Sequence, residues 1–430
     1  MEILIIKLGA KGDVIRTICL ATALKRKYEN CKITWITKKN NRDLLTNHPD
    51  MDSVLSMEDN PTFNINFDHL YNFDIEKEAS DLAIRAKAGK KYGFYVENDF
   101  AVAFNLGAEY YINTIFDDEL KKNNKKTYQE MMFEAAELGY EKILPKIYLN
   151  DKDKEYAENF AKKNSVKTEK LIGIHMGSSP RWPSKIWSET KIKEFIKKAK
   201  KEGYEVLLFG GPNELERQDK LFNELKNEEI NILRNDVKNT DREFASLVDL
   251  CKVMICSDSF ALHVALGLQK KTIGLFFCTN PNEIESYGLL TKIVSKKLWD
   301  FFPERMDEFD EDLVNSVSAD EVFNEVKKSI TFDPSILLKI DEGDIVNINN
   351  ISLEVLRIDS EVNVDRSTEE IKVTDAGRNM FLKDGDNNEY HIWVSQDLKE
   401  INLEKIKRKF ISEPWDYEII EEINLLNSKQ

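Results

Sequence analysis

The chain has 430 residues, 41% of them apolar, enough to bury two or three hydrophobic cores, which excludes a single small domain. Its 62 Lys and Arg against 77 Asp and Glu leave a net charge of −15, which argues against a nonspecific nucleic-acid binder, because that affinity comes from cations displacing counterions. Cys19, Cys31, Cys251, Cys256 and Cys278 are odd in number, scattered through apolar runs and without metal-ligand spacing, and they read as reduced core residues.

The first element is a strand, "MEILIIK", without a basic and apolar leader before it. No apolar stretch approaches the roughly 20 residues of a bilayer span. The expectation is a cytoplasmic protein, with peripheral contact at the inner face of the membrane left open. After the strand, "LGAKGDVIRT" turns through two glycines into a helical stretch from Asp13 to Tyr28. That layout suits a phosphate-cradling loop, yet a carboxylate at its mouth would repel an anion, so Asp13 needs another role. Gly9 and Gly12 would let the backbone approach a ligand closely. Lys7 and Lys11 flank the turn as candidate anion-binding cations.

"KITWIT", "HLYNF" and "KKYGFYV" continue the strand and helix alternation, and a charged helical segment over residues 151–163 reads as the entry to a linker. A second series follows: "KLIGIHMG", a helix over 188–202, "YEVLLFGG", a helix over 214–225, "KVMICSD", a helix from Phe260, and "KKTIGLFF". The expected architecture is α/β, with parallel-sheet domains over 1–165 and 166–330. Beyond Thr331, short β-rich runs with Asn and Gly turns, and then a helix-like stretch from about Glu404, suggest a smaller mixed module over 331–430.

Each marked loop follows the end of a predicted strand, where open α/β sheets place ligands. "SDSFALH" puts Ser257, Asp258 and Ser259 before a helix whose first N–H groups suit a diphosphate, although Ser and Asp are also ordinary helix caps, and His263 is also an ordinary packed residue. "SSPRWPSKIW" combines the hydroxyls of Ser178 and Ser179 with Arg181 and Lys185, donors suited to a phosphate that gains charge as a bond breaks. "GGPNE" places Glu214 to accept hydrogen bonds from ribose hydroxyls. The "DGD" of 384–386 sits in "KDGDNNE", a turn composition rather than a divalent-cation pair. "DEFDEDL" of 307–313 reads as a solvated acidic stretch opening a helix.

In order and spacing, "GDVIRT", "HMGSSPRWPSKIW" and "SDSFALHVALGLQKKTIGLF" resemble glycosyltransferase family 9, the ADP-heptose:lipopolysaccharide heptosyltransferases, over roughly residues 1–330. The resemblance implies a GT-B fold, two Rossmann-like domains facing a cleft, the first binding acceptor and the second a nucleotide-sugar donor such as ADP-heptose. It implies inverting transfer with no metal and no cofactor. Asp13 matches the proposed base; Lys185, Ser178 and Ser179 match donor-phosphate contacts; Glu214 matches the ribose contact. The loop of Asp258, Ser259, Phe260, Ala261 and His263 matches the one that holds diphosphate and sugar.

The sequence departs from the family at Phe277 and Cys278, where glycine and proline are usual, and at Arg16. The acceptor stays open between a glycan such as lipopolysaccharide core, a lipid-linked glycan and a protein, as does the oligomeric state. A GT-B nucleotide-sugar epimerase and a noncatalytic sugar-nucleotide-binding subunit are the alternatives. A nicotinamide oxidoreductase is disfavoured, because the turn reads G-x-x-G-D without the G-x-G-x-x-G pattern.

Overall fold

The first apolar run forms β1 (Glu2–Ile6) in a computed structural model that describes residues 1–63, 65–330, 337–348, 351–365, 372–396, 398, 401–408 and 417–423. These divide into two units, one of residues 1–285 and 290–327 and one of residues 286–289 and 328–430.

The first unit holds two sheets. After β1 come α1 (Lys11–Thr17), α2 (Cys19–Lys27), β2 (Lys32–Thr37), β3 (Ser53–Ser56), β4 (Phe67–Asn72), α3 (Lys77–Arg85), β5 (Ala88–Glu97) and β6 (Phe100–Ala103). Their order is β3-β2-β1-β4-β5-β6, with only β6 antiparallel to its neighbour. Ile3, Leu4, Ile5 and Ile6 are all fully buried, which is why "ILII" is an unbroken apolar run: a parallel strand is covered on both faces. The single helix expected from Asp13 to Tyr28 is instead two, meeting at Ile18.

Then follow α4 (Glu109–Phe116), α5 (Asp118–Asn123), α6 (Tyr128–Ala135) and α7 (Asp151–Asn164). The second sheet is built from β7 (Leu171–His175), α8 (Glu189–Lys201), β8 (Glu205–Phe209), α9 (Leu215–Asn227), β9 (Leu233–Arg234), α10 (Asp241–Leu250), β10 (Val253–Ser257), α11 (Phe260–Gly267), β11 (Lys271–Phe276) and β12 (Leu290–Val294). It is parallel throughout, in the order β12-β11-β10-β7-β8-β9, and α12 (Leu298–Phe301), α13 (Glu311–Val314) and α14 (Ala319–Ile330) follow it. Two parallel sheets flanked by helices are the expected GT-B arrangement.

The charged segment read as a linker entry is α7, and it packs on α10: Arg242 pairs with Asp153, and Asn239 Nδ2 donates to Tyr156 Oη at 2.7 Å. Arg242 Nη1 also donates to the Asp43 carbonyl at 2.8 Å, tying the second sheet's helix to the first half of the chain. The acidic run near 310 does open a helix, with Asp310 accepting from Leu313 N–H at 2.7 Å as the cap of α13.

The second unit is an antiparallel meander of β13 (Ile345–Ile348), β14 (Ile351–Asp365), β15 (Lys372–Lys383), β16 (Glu389–Ser395), β17 (Ile401–Arg408) and β18 (Tyr417–Ile423). The helix expected from Glu404 is not there: β17 pairs with β16 on one side and β18 on the other. Ile401 and Leu403 enter the core with Ile392 and Val394, while Ile406, also buried, stands on the opposite face of its strand. Apolar positions three apart in a charged segment imitate a helical stripe, which misled the sequence reading. Residues 409–416 and 424–430 of the supposed C-terminal helix lie outside the described residues. The "DGD" segment is a turn, with Asp384 Oδ1 accepting the N–H groups of Asp386 and Asn388 at 2.9 and 2.8 Å.

Candidate active site

The glycine turn after β1 is shaped by side chains. Asp74 Oδ2, at the end of β4, accepts the N–H groups of Leu8 and Gly9 at 3.0 and 2.6 Å, and Asn41 Nδ2 donates to the carbonyls of Leu8 and Gly9, both at 3.0 Å. Those two amides are therefore occupied and do not cradle a phosphate. Lys7 is buried beneath it and donates through Nζ to the Phe73 carbonyl at 2.8 Å, which corrects its expected role as an anion ligand. A side chain at Gly9 would meet Asp74 Oδ2 at 3.2 Å and Lys7 Nζ at 3.3 Å. A Cβ at Gly12 would come within 2.8 Å of the His263 ring, so the missing side chain lets α1 pack against α11. Lys11 bridges the same junction, donating to Asp241 Oδ1 at 2.7 Å with its ammonium 5.6 Å from the Phe260 ring centre.

Asp13 stands in the first turn of α1 without capping it, and Arg16 one turn on forms an ion pair with it, Nη2 to Oδ1 2.9 Å. The Arg16 guanidinium lies 3.6 Å from the Tyr128 ring centre, so aromatic packing fixes the cation that holds the carboxylate. Burial pushes the Asp13 carboxyl up, but Arg16, Lys7 and His263 outweigh it and hold the group below the usual carboxylate range, ionised at neutral pH. Its side chain keeps 37% of its exposure and is reachable from solvent.

On the second sheet, Lys185, in the 3₁₀ turn Pro183–Lys185, pairs with Asp258 Oδ2 at 3.1 Å, joining the loops after β7 and β10. Burial opposes ionisation of Asp258, and Lys185, His263 and Arg16 together overcome it and drive its carboxyl far down. Trp187 is buried and donates from Nε1 to the Val317 carbonyl at 3.0 Å, anchoring the loop that carries Lys185, while Arg181 stacks on Trp182 at 4.6 Å and leaves Lys185 as the cation that reaches Asp258. Ser178 is half-buried and Ser179 exposed at the end of β7. The Glu214 carboxylate lies over Gly177, where a Cβ would sit 2.5 Å from its Cδ, and accepts the Gly211 N–H at 2.8 Å.

Ser259 holds the cap position of α11, yet its hydroxyl makes no capping bond and is buried without a partner. Thr279 Oγ1 and Arg16 Nε are buried and unpartnered as well. Polar atoms of this kind cost free energy unless something satisfies them, which marks the cleft as a place where a polar ligand belongs. Phe260 packs on Phe244 with ring centres 5.5 Å apart, and Ala261 is fully buried, so Ala261 offers a ligand only its backbone.

The sequence reading missed Glu283, whose carboxyl is pushed up by burial and by Asp258 and Asp13, against Arg16 and Lys121. Its signal lay just past the two family departures, in a "TNPNE" turn that spacing alone did not connect to the cleft.

Among the described residues no group of three or more His, Cys, Asp or Glu is placed to hold a metal ion. No helix among them is long and apolar enough to cross a membrane.

Two histidines, His175 at the end of β7 and His263 in α11, are expected to make stability depend on pH. Burial pulls His263 down to about 4, helped by Arg16, and burial pulls His175 down to about 4, both from 6.5. Between those values the unfolded chain binds protons that the folded chain does not, so stability is full above 6.5 and falls as pH drops through the window. On the order of 2 kcal/mol per histidine is expected to be lost at pH 5. Thermal melting at pH 7.5 and 5 checks this, and His263→Gln should flatten the dependence.

The sequence profile of glycosyltransferase family 9 (heptosyltransferase) matches residues 64–308. The lipopolysaccharide heptosyltransferase 2 of Escherichia coli is 27% identical over 153 residues, covering 35% of this chain and 43% of that protein. The lipooligosaccharide heptosyltransferase 2 of Haemophilus influenzae is 25% identical over 302 residues, 65% of this chain and 84% of that one. Among solved structures, a family 9 glycosyltransferase from Veillonella parvula superposes with a TM-score of 0.60 at 17% identity, over 76% of this chain and 97% of its own. That similarity carries the two-sheet fold; residues 328–430 of the second unit lie outside the family match.

Proposed function

The chain belongs to glycosyltransferase family 9, and on that premise we propose that it moves a heptose or related sugar from a nucleoside diphosphate sugar, ADP-heptose, to a hydroxyl of a glycan acceptor such as lipopolysaccharide core. The observation that carries the reading is the meeting of two ion pairs from opposite sheets, Asp13 with Arg16 and Lys185 with Asp258, each within electrostatic reach of the other. We assign residues 1–165 to the acceptor and 166–330 to the donor. The reaction we infer proceeds in the cytoplasm, at the inner face of the membrane where a lipid-linked acceptor is presented.

The chemistry is a displacement at the anomeric carbon with inversion. The acceptor oxygen forms a bond to that carbon, its proton passes to the Asp13 carboxylate, and the carbon–oxygen bond to the diphosphate breaks with its electron pair on the leaving oxygen. A carboxylate held low is adequate, because the hydroxyl becomes acidic as its oxygen bonds to carbon, so the base needs chiefly to be ionised and in place. Lys185 neutralises charge growing on the diphosphate, and Ser178, Ser179, Ser259 and the free N–H groups opening α11 supply hydrogen bonds to it. Glu214 receives the ribose hydroxyls. The ammonium and these donors do the work that a divalent cation does elsewhere, so metal-independent transfer is the expectation.

Calorimetric titration with a panel of nucleotide sugars including ADP-heptose, first in EDTA and then with Mg²⁺, tests the reading. Micromolar binding of one diphosphate sugar, unchanged by the metal, is expected. A folded protein that binds none of them overturns it.

A further inference from the structure

The loop after β11 is where the chain leaves its family's pattern. Phe277 and Cys278 are buried, at 1% and 0% exposure, so the two departures fill core and do not line the cleft. The polar residues beyond them are clamped. Asn280 Nδ2 donates to the carbonyls of Lys121 and Asn124 at 3.3 and 3.1 Å, and Asn282 Nδ2 to that of Asn124 at 3.2 Å. From the other side Lys292 Nζ donates to the carbonyls of Pro281 and Ile284 at 2.7 and 2.6 Å. These bonds fix the 3₁₀ turn Pro281–Glu283 against the residues that end α5, and Glu283 is its one ionisable side chain.

Glu283 differs from every other carboxylate of the cleft described above. Asp13 has Arg16, Asp258 has Lys185 and Glu214 has the Gly211 N–H. Among the described residues the Glu283 side chain makes neither an ion pair nor a hydrogen bond, and burial, with Asp258 and Asp13, pushes its carboxyl up against the opposing pull of Arg16 and Lys121. A partly desolvated acid without a partner is costly, and a neighbouring diphosphate would raise the cost by repulsion.

Sheet order says which part of a ligand it meets. The neighbouring strands β8, β7, β10 and β11 carry Glu214, Lys185, Asp258 and Glu283 on the loops after their carboxyl ends. Three strand steps span about 14 Å, room for nucleoside, diphosphate and sugar in a row. With ribose at Glu214 and diphosphate at Lys185 and Asp258, the transferred sugar falls at Glu283.

We infer that Glu283 accepts hydrogen bonds from hydroxyls of the transferred sugar and selects that sugar, an assignment that rests on the transferase reading above. Uncharged hydroxyls satisfy the carboxylate where a second anion cannot.

The test is calorimetric titration of the wild-type chain, Glu283→Ala and Glu283→Gln with ADP and with ADP-heptose, each variant first shown to melt as the wild type does. Loss of hydrogen bonds to a charged group predicts an affinity for ADP-heptose about tenfold or more weaker in Glu283→Ala, with ADP affinity unchanged or tighter because the repulsion on its diphosphate is removed. Glu283→Gln, which keeps the shape and part of the acceptor capacity, falls between. Equal losses for both ligands, or no loss for either, overturns the assignment. A wild-type chain that binds neither ligand overturns the transferase reading itself, and that outcome is distinct because it precedes any comparison of variants.

Discussion

Asp13→Asn is expected to lower turnover by about 10²–10⁴-fold, the usual contribution of a positioned general base, and to leave donor affinity unchanged. The amide keeps the shape of the side chain and can still accept from Arg16, whose own position is fixed by the Tyr128 ring, so the variant should fold. What it cannot do is receive a proton. The loss therefore falls on kcat, while calorimetry with the nucleotide sugar should give the wild-type value. A variant that keeps turnover would remove Asp13 from the chemistry and return it to the role of a first-turn acid. One that loses donor binding and turnover together would place it at the diphosphate.

Lys185→Ala is expected to act on both terms. Removing a positioned cation from a leaving group that gains charge costs about 10²–10³-fold in kcat. Donor affinity should fall as well, because Asp258 is then left as a half-buried carboxylate, without its 3.1 Å partner, beside the diphosphate. The two contributions separate in the double variant. Adding Asp258→Asn removes the repulsion and should recover part of the donor affinity, but turnover should stay low because no ammonium is restored. Steady-state kinetics with calorimetry on the two variants checks this, and recovery of turnover in the double variant would show that Lys185 serves only to neutralise Asp258.

The pairings that give these variants their effects cross long stretches of chain, and this sets how much was readable beforehand. Strands such as "ILII", "VLLF" and "VMIC" were legible because parallel strands covered on both faces require unbroken apolar runs, and the helices between them because their caps and apolar stripes are local. The loops at the strands' carboxyl ends were legible for the same reason: the alternation of elements fixes which connections lie on the ligand side of a sheet. Asp13, Lys185, Glu214 and Asp258 were therefore singled out as candidates by position. The helix placed over 404 onward failed where a strand buries apolar side chains on both of its faces, since period-two alternation is then lost.

Other features depended on contacts that no local pattern encodes. Gly12 could be read as flexibility, but only the His263 ring 2.8 Å from its absent Cβ shows that it is a packing requirement between α1 and α11. Lys7 looked like an exposed cation beside a turn until the Phe73 carbonyl and Asp74 claimed it. Arg16 read as a departure from a family pattern, whereas in the fold it is the partner of the proposed base. Glu283 stood in a turn whose place in the fold was not legible, because two asparagine amides bind that turn to backbone about 160 residues away in the chain. The sequence by itself determined the alternation of strand and helix and the loops at the strands' carboxyl ends, since these follow from short-range patterns of burial, and the family through the resemblance of three loop motifs. Only the tertiary structure decided which of those side chains are paired, which are packed and which are left unsatisfied for a substrate, because those states depend on neighbours that folding brings together.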